Sequence, residues 1–245
     1  AVFGAKNPHP QSLTVGGVTC VMDLLSPARM GEYAEKMKEV ADFINRAYYP
    51  DLLMAGKAYA AEASVLNDVG VPNLLTYKEF QMSANEWLFD SGYIKNGDLS
   101  KVYEIDEDKI TEEATHSWYK NDAPLHPYDG QTEPNYTGFK DGETVGPKGQ
   151  NIPSKVFDTA GKYSWIKAPR YDGEPAQVGP LANIVVNYAK GNAVVVKVVD
   201  KFLKDSGLPL TVVLSTLGRT ATRCIEAKVI ADNIFTAFNN LVENL

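Results

Sequence analysis

Among 245 residues there are only two cysteines and three histidines. Cys20 and Cys224 stand far apart in unrelated contexts, so the chain holds no C-x-x-C metal or redox motif, and each reads as a buried free thiol behaving as a small hydrophobe. His9, His116 and His126 are never three or four residues apart, the spacing that puts two ligands on one helix face, so no histidine-built metal site is expected. His9-Pro10 and His126-Pro127 force extended backbone and suggest loops. A G-x-S-x-G elbow, a G-x-x-x-x-G-K-[ST] phosphate loop and a G-x-G-x-x-G turn are all missing, which withdraws support from acyl transfer, nucleoside triphosphate chemistry and dinucleotide cofactors. Positive charge is in deficit, 24 Lys and Arg against 31 Asp and Glu, a net charge of −7; such a surface repels phosphate backbones, and nucleic acid is not the expected partner. Long apolar runs are lacking too. The best, Ala193 to Val199, is broken by Lys197, so no membrane-spanning helix is expected, and the first residues lack the basic-then-apolar order of a secretory signal.

What is present is enough apolar material, 44% of residues, for a real core. Residues 11 to 22 are β-branched around Gly16-Gly17 and suggest a short strand or hairpin. Ser26-Pro27 reads as an N-cap followed by proline at the first helical position. Met30, Tyr33, Ala34, Met37, Val40, Ala41, Ile44 and Tyr48 then recur at helical spacing, and the helix is expected to end before Pro50. Short β signals follow at residues 74–77, 87–89 and 101–105. Between about 120 and 165 the chain is rich in Pro, Gly, Asp, Asn and Tyr with no sustained period, which predicts a functional loop or a surface shaped by a partner. Helical patterning returns over 178–189, continues after Gly191 to Gly207, and resumes after Pro209 to the last residue. The fold class expected is mainly α, a long-helix bundle with an irregular loop region and minor β insertions, with residues 1–245 read as a single domain.

Scattered acidic pairs, Asp106/Asp108 and Glu112/Glu113, could do acid–base work only if folded into a cleft; a solvated face is the plainer reading. The most unusual stretch runs from Tyr163 to Tyr171. There a proline of fixed φ precedes Arg170 and stiffens the approach of its guanidinium, although arginines also cap helices and lie over aromatics for purely structural reasons.

Read as whole phrases, the sequence resembles the large subunit of nickel-iron hydrogenases along nearly all its length, and within that family the wording is nearest to the membrane-associated, hydrogenase-2-type subunits. The phrases are Gly4-Ala5-Lys6-Asn7-Pro8-His9-Pro10, Val15-Gly16-Gly17-Val18, Arg46-Ala47-Tyr48-Tyr49-Pro50-Asp51-Leu52 and His116-Ser117-Trp118-Tyr119. Further on come Leu125-His126-Pro127-Tyr128-Asp129-Gly130, Thr132-Glu133-Pro134-Asn135-Tyr136, the stretch from Lys162 to Arg170, Val178-Gly179-Pro180-Leu181-Ala182 and Ser215-Thr216-Leu217-Gly218-Arg219-Thr220-Ala221.

The resemblance implies an enzyme that, as a complete heterodimer, reversibly oxidises H2 to protons and electrons. It implies a nickel-iron centre with diatomic ligands held by two C-x-x-C motifs that these 245 residues do not contain, so this segment is expected to be internal, inactive by itself and free of metal. It further implies an iron-sulfur small subunit as partner, a periplasmic position at the membrane without a span of its own, and a tendency of the isolated piece to self-associate. Ala168-Pro169-Arg170 matches the wall of the active-site pocket, with Arg170 reaching over the open coordination position. Its role would be electrostatic and hydrogen-bonding: arginine holds its proton at every ordinary pH, which speaks against a base role, though that role is left open. His9 matches a histidine facing the small subunit's proximal cluster, beside the electron path. The alternative is a non-catalytic scaffold of a nickel-free relative, such as a respiratory quinone oxidoreductase subunit.

Overall fold

The computed structural model describes residues 12–14, 17–19, 26–65, 70–121, 123–130 and 132–244. It divides the span read as one domain into two compact units, one of Ala1–Tyr103 with Gln177–Leu245 and one of Glu104–Ala176.

The first unit carries the helices. After a hairpin of β1 (Ser12–Thr14) with β2 (Gly17–Thr19), located where the sequence suggests one, α1 (Pro27–Phe43) begins with Ser26 as N-cap and Pro27 in the first turn. The helical path does not end before Pro50. It passes through a π-helical segment, Ile44–Tyr48, into α2 (Tyr49–Ala58), and α3 (Ala60–Val65) follows. A proline inside a helix lacks a donor and its ring presses on the carbonyl four residues back; a wider π turn just before Pro50 relieves this, so the chain continues without breaking.

Strands β3 (Leu74–Thr76), β4 (Glu79–Ser83), β5 (Glu86–Phe89) and β6 (Gly92–Ile94) form two antiparallel pairs, β3 with β6 and β4 with β5. Of the strand expected over 101–105, only a bridge from Tyr103 to Tyr93 forms. Helix α4 (Pro180–Ala189) is apolar except for Asn183, Asn187 and the Tyr188 hydroxyl and buries every residue from Leu181 to Asn187, the mark of a helix at the centre of a core. Its Ile184 packs with Tyr49, Phe89, Val195, Phe202 and Val229, while its Leu181, Val185 and Val186 pack with Leu74 and Ile94. Helix α5 (Ala193–Ser206) starts on the Asn192 side chain, which accepts from the amides of Val194 and Val195, and stops at Gly207, whose φ of 73° makes a left-handed cap. Helix α6 (Thr216–Glu243) starts on the fully buried Ser215, whose hydroxyl accepts from the Gly218 amide.

The second unit is built from hairpins and aromatics. β7 (Ile110–Glu113) pairs with β10 (Ala168–Tyr171), and β8 (Phe139–Val145) pairs with β9 (Asn151–Phe157) over seven residues each. Trp118 is its centre, surrounded by Tyr136, Phe139, Phe157 and Trp165 with ring centroids 4.8 to 5.9 Å away. Its indole Nε1 donates to the Lys162 carbonyl at 3.1 Å.

Helices predominate, as the sequence suggests, but the β structure is more than minor insertions. Among the described residues there are five two-stranded sheets, and the stretch expected to be irregular contains the longest hairpin. Both faces of β8 and β9 are largely exposed, so no core selects an apolar face and the alternating pattern that betrays a strand never arises.

Candidate functional site

Arg170 sits on β10 opposite Thr111 of β7, with Pro169 opposite Glu112 and Ala168 opposite Glu113. The strand returns through a tight turn in which Asp172 and Gly173 take φ of 53° and 75°, and the Tyr171 amide donates to the Glu174 carbonyl at 2.9 Å. Tyr171 is buried, and its hydroxyl accepts from the Asp106 amide at 3.1 Å. Just before the strand, the Lys167 side chain is only 10% exposed; its Nζ lies 3.1 Å from Glu112 Oε2 and 5.1 Å from the centroid of the Tyr119 ring. A lysine so deeply placed needs its carboxylate partner, and this pair ties the approach to β10 onto β7.

The Arg170 guanidinium donates from Nη1 to the Pro169 carbonyl at 2.9 Å, in an exposed contact. It also contributes to lowering the Glu113 carboxyl, which is held down chiefly by hydrogen bonds from the Thr115 hydroxyl and amide. Glu112 and Glu113 therefore do not form an acid–base pair, one being committed to Lys167 and the other to Thr115. Asp106 caps a 3-10 turn by accepting from the Asp108 amide, and both are exposed, as a solvated face requires.

The histidines stay apart. His116 bonds through Nδ1 to the Gly161 carbonyl at 2.7 Å and stacks on Tyr163. His126 stacks on Tyr128 and receives its amide at Nδ1. His9 and Cys20 lie outside the described residues. Cys224 is fully buried in the helical core, and burial pushes its thiol up to about 11, which disfavours the thiolate that metals require. Among the described residues, no three of His, Cys, Asp and Glu come together as metal ligands. Among the described residues, then, none stands where it could share a metal ion with two others.

Sequence reading missed a second polar cluster, on α4. Asn187 is fully buried; its Oδ1 accepts from the Asp90 amide at 2.8 Å and its Nδ2 donates to the Asp90 and Asn183 carbonyls at 3.1 and 2.9 Å. Asn183, one turn earlier, bonds to Thr76, Glu79 and Glu226. The signal was two asparagines four apart in a helix otherwise apolar all round.

The family model of the nickel-dependent hydrogenases matches residues 1–245. The chain belongs to that family. The quinone-reactive Ni/Fe-hydrogenase large chain of Wolinella succinogenes is 57% identical over 245 residues, covering 100% of this hydrogenase chain and 42% of that protein. The uptake hydrogenase large subunit of Rhizobium leguminosarum bv. viciae is 36% identical over 265 residues, covering 100% and 43%. Among solved structures, the oxidised Ni-Fe-Se hydrogenase of D. vulgaris Hildenborough superposes with a TM-score of 0.70 at 27% identity, over 98% of this chain and 45% of its own. The hydrogenase chain here therefore spans less than half the length of the relatives it matches. Among the described residues no helix is long and apolar enough to cross a membrane.

Proposed function

We propose that the chain is the central scaffold of a nickel-iron hydrogenase large subunit, and that the full-length protein with an iron-sulfur small subunit interconverts H2 with two protons and two electrons. The observation that carries this reading is the match of the nickel-dependent family model over every residue of the chain, supported by 57% identity to a hydrogenase large chain. The nickel-iron centre with its diatomic ligands supplies the splitting of H2 when it is bound. The chain's own residues build the frame: the α4–α6 core in one unit, and in the other the β7–β10 pair with the buried Lys167–Glu112 contact that orients Ala168-Pro169-Arg170.

In this reading Arg170 lines the active-site pocket, its guanidinium offering charge and donors to ligands beside the reacting position, and His9 lies near the electron path. A second reading of Arg170 rests on a specific contact. Its Nη1 is already engaged by the carbonyl of its own Pro169, which suits a side chain that stiffens the strand. The name of the Wolinella relative, quinone-reactive, supports a quinone as electron acceptor, and the family resemblance supports a position on the periplasmic side of the membrane. Large apolar side chains left exposed, among them Met54, Ile166 and Val145, are suited to cover by the partner subunit or, in the isolated segment, by another copy.

Producing the full-length protein with its small subunit and measuring H2-dependent quinone reduction together with nickel content tests the proposal. Bound nickel and H2 oxidation are expected. A stably folded complex with neither would return the chain to the nickel-free scaffold reading.

A further inference from the structure

We propose that Asn183, Glu79 and Glu226 form a pH-responsive clamp that fastens the start of β4 to α4 and α6 while one carboxyl is protonated and loosens it once both are ionised. Asn183 is 3% exposed. The buried Thr76 hydroxyl of β3 donates to its Oδ1, which turns the amide nitrogen toward the two acids. From there Nδ2 donates to Glu226 Oε1 of α6 at 2.7 Å and to Glu79 Oε2 of β4 at 3.2 Å. Two carboxyls from elements far apart in sequence thus converge on the amide nitrogen of one buried asparagine.

The groups facing Glu226 are few. β4 brings the charge of Glu79, α6 itself brings Arg223 one turn earlier, β3 brings the neutral Thr76 hydroxyl and α4 the neutral Asn183 amide. Burial raises the Glu226 carboxyl most, the Asn183 bond lowers it, Glu79 raises it and Arg223 lowers it, and the balance is upward. A neutral Glu226 still accepts from Asn183 through its carbonyl oxygen, so the protonated clamp keeps both bonds without like-charge repulsion. Ionisation sets two negative charges around one amide in a poorly solvated place. Glu79 is exposed and is the side chain free to swing away. Because the native Glu226 binds its proton more tightly than an ordinary carboxyl, the stabilisation is present at low pH and is lost as pH rises through the raised value. The far end of β4 stays held, since Asn240 donates to the Met82 carbonyl at 2.8 Å; loosening is therefore confined to Glu79–Gln81.

Amide hydrogen exchange on the full-length protein, expressed as protection so that the intrinsic pH dependence cancels, tests the clamp. Protection over Glu79–Gln81 should fall several-fold as pH rises above the ordinary carboxylate range. It should stay at its low-pH level in Glu226→Gln, which keeps the acceptor without the charge, and in Glu79→Gln. A protonated-carboxyl C=O stretch should titrate over the same range in the parent and vanish in Glu226→Gln. The surface variant Glu79→Gln keeps the test decisive if Glu226→Gln fails to fold. The same pH dependence in parent and variant, or the absence of that titrating stretch, overturns the proposal.

Discussion

Tyr49 is 6% exposed and its hydroxyl has no hydrogen-bond partner, while its ring meets Phe202 edge-on with centroids 6.2 Å apart. The ring is therefore core, and the hydroxyl is a polar atom carried into it. Burial first, then the charges of Asp205, Cys224 and Asp232, push the phenol up to about 12. In the unfolded chain it ionises near pH 10, so the native state loses stability as pH rises between those two values. Tyr49→Phe is expected to stay within about 1 kcal/mol of the parent at neutral pH, because an unmade hydrogen bond is not lost, and to lack that alkaline decline. Urea unfolding near pH 7 and pH 11 checks both; a neutral-pH loss above about 2 kcal/mol would reveal a hydrogen-bonded water or other partner at the hydroxyl. Arg170 poses the opposite question, since its contacts are visible and its role is not. In the full-length enzyme, Arg170→Lys should retain nickel yet lower turnover per nickel by about a hundredfold or more, as lysine keeps the charge and loses the planar fork. Near-normal turnover with a lowered melting temperature would instead give Arg170 to strand stiffening through Pro169. At this scale the sequence was legible where residue type dictates environment, as for a lone Cys224 in a helical stripe. It was silent on Lys167, whose burial depends on the carboxylate of Glu112, 55 positions away.

At the scale of elements, two helical glycines show how identical residues answer to different surroundings. Gly56 lies in α2 beside an apolar cavity of about 100 Å³, and an added Cβ would meet only Leu208 Cδ1 at 3.7 Å. Gly56→Ala should stabilise by about 0.5–1 kcal/mol, through lower backbone entropy in the unfolded chain and one ordinary contact. Gly218 opens α6, where a Cβ would sit 2.2 Å from the Val213 carbonyl oxygen and 2.3 Å from that of Val212. Backbone cannot yield as a side chain can, so Gly218→Ala should cost about 3 kcal/mol or more. Thermal melting of the two variants should move in opposite directions; a shared sign would mean that the 3-10 turn of Leu210–Leu214 relaxes more freely than its packing suggests. The start of α1 was legible because Ser26 and Pro27 act locally, and α4 to α6 because their apolar stripes follow a core. The passage through Pro50 was not, since a π turn leaves no mark in apolar periodicity. The β8–β9 hairpin escaped because only its open end, Phe139 and Phe157, packs against Trp118; beyond that neither face is covered enough to demand apolar residues.

At the scale of the molecule, family membership was legible because whole phrases, from the one ending at Pro10 to the one around Arg219, keep their order along the chain. Metal chemistry was not, since the phrases that would carry ligands are not among these residues. This separation yields a prediction about Cys224. A buried thiol pushed up to about 11 resists the deprotonation that nickel or iron would require of it, and its neighbours are the apolar side chains of the helical core. Cys224→Ala in the full-length protein should leave nickel content per chain and H2 oxidation per nickel unchanged. It should lower stability only by about 1–2 kcal/mol, the cost of a small cavity where the sulfur stood. The informative comparison is nickel content against melting temperature. If nickel falls in proportion to folded protein, Cys224 is a packing residue whose loss is felt everywhere alike. If nickel falls while the melting temperature holds, the thiol is a ligand after all, and the helical unit would have to be redrawn as part of the metal site rather than the frame around it.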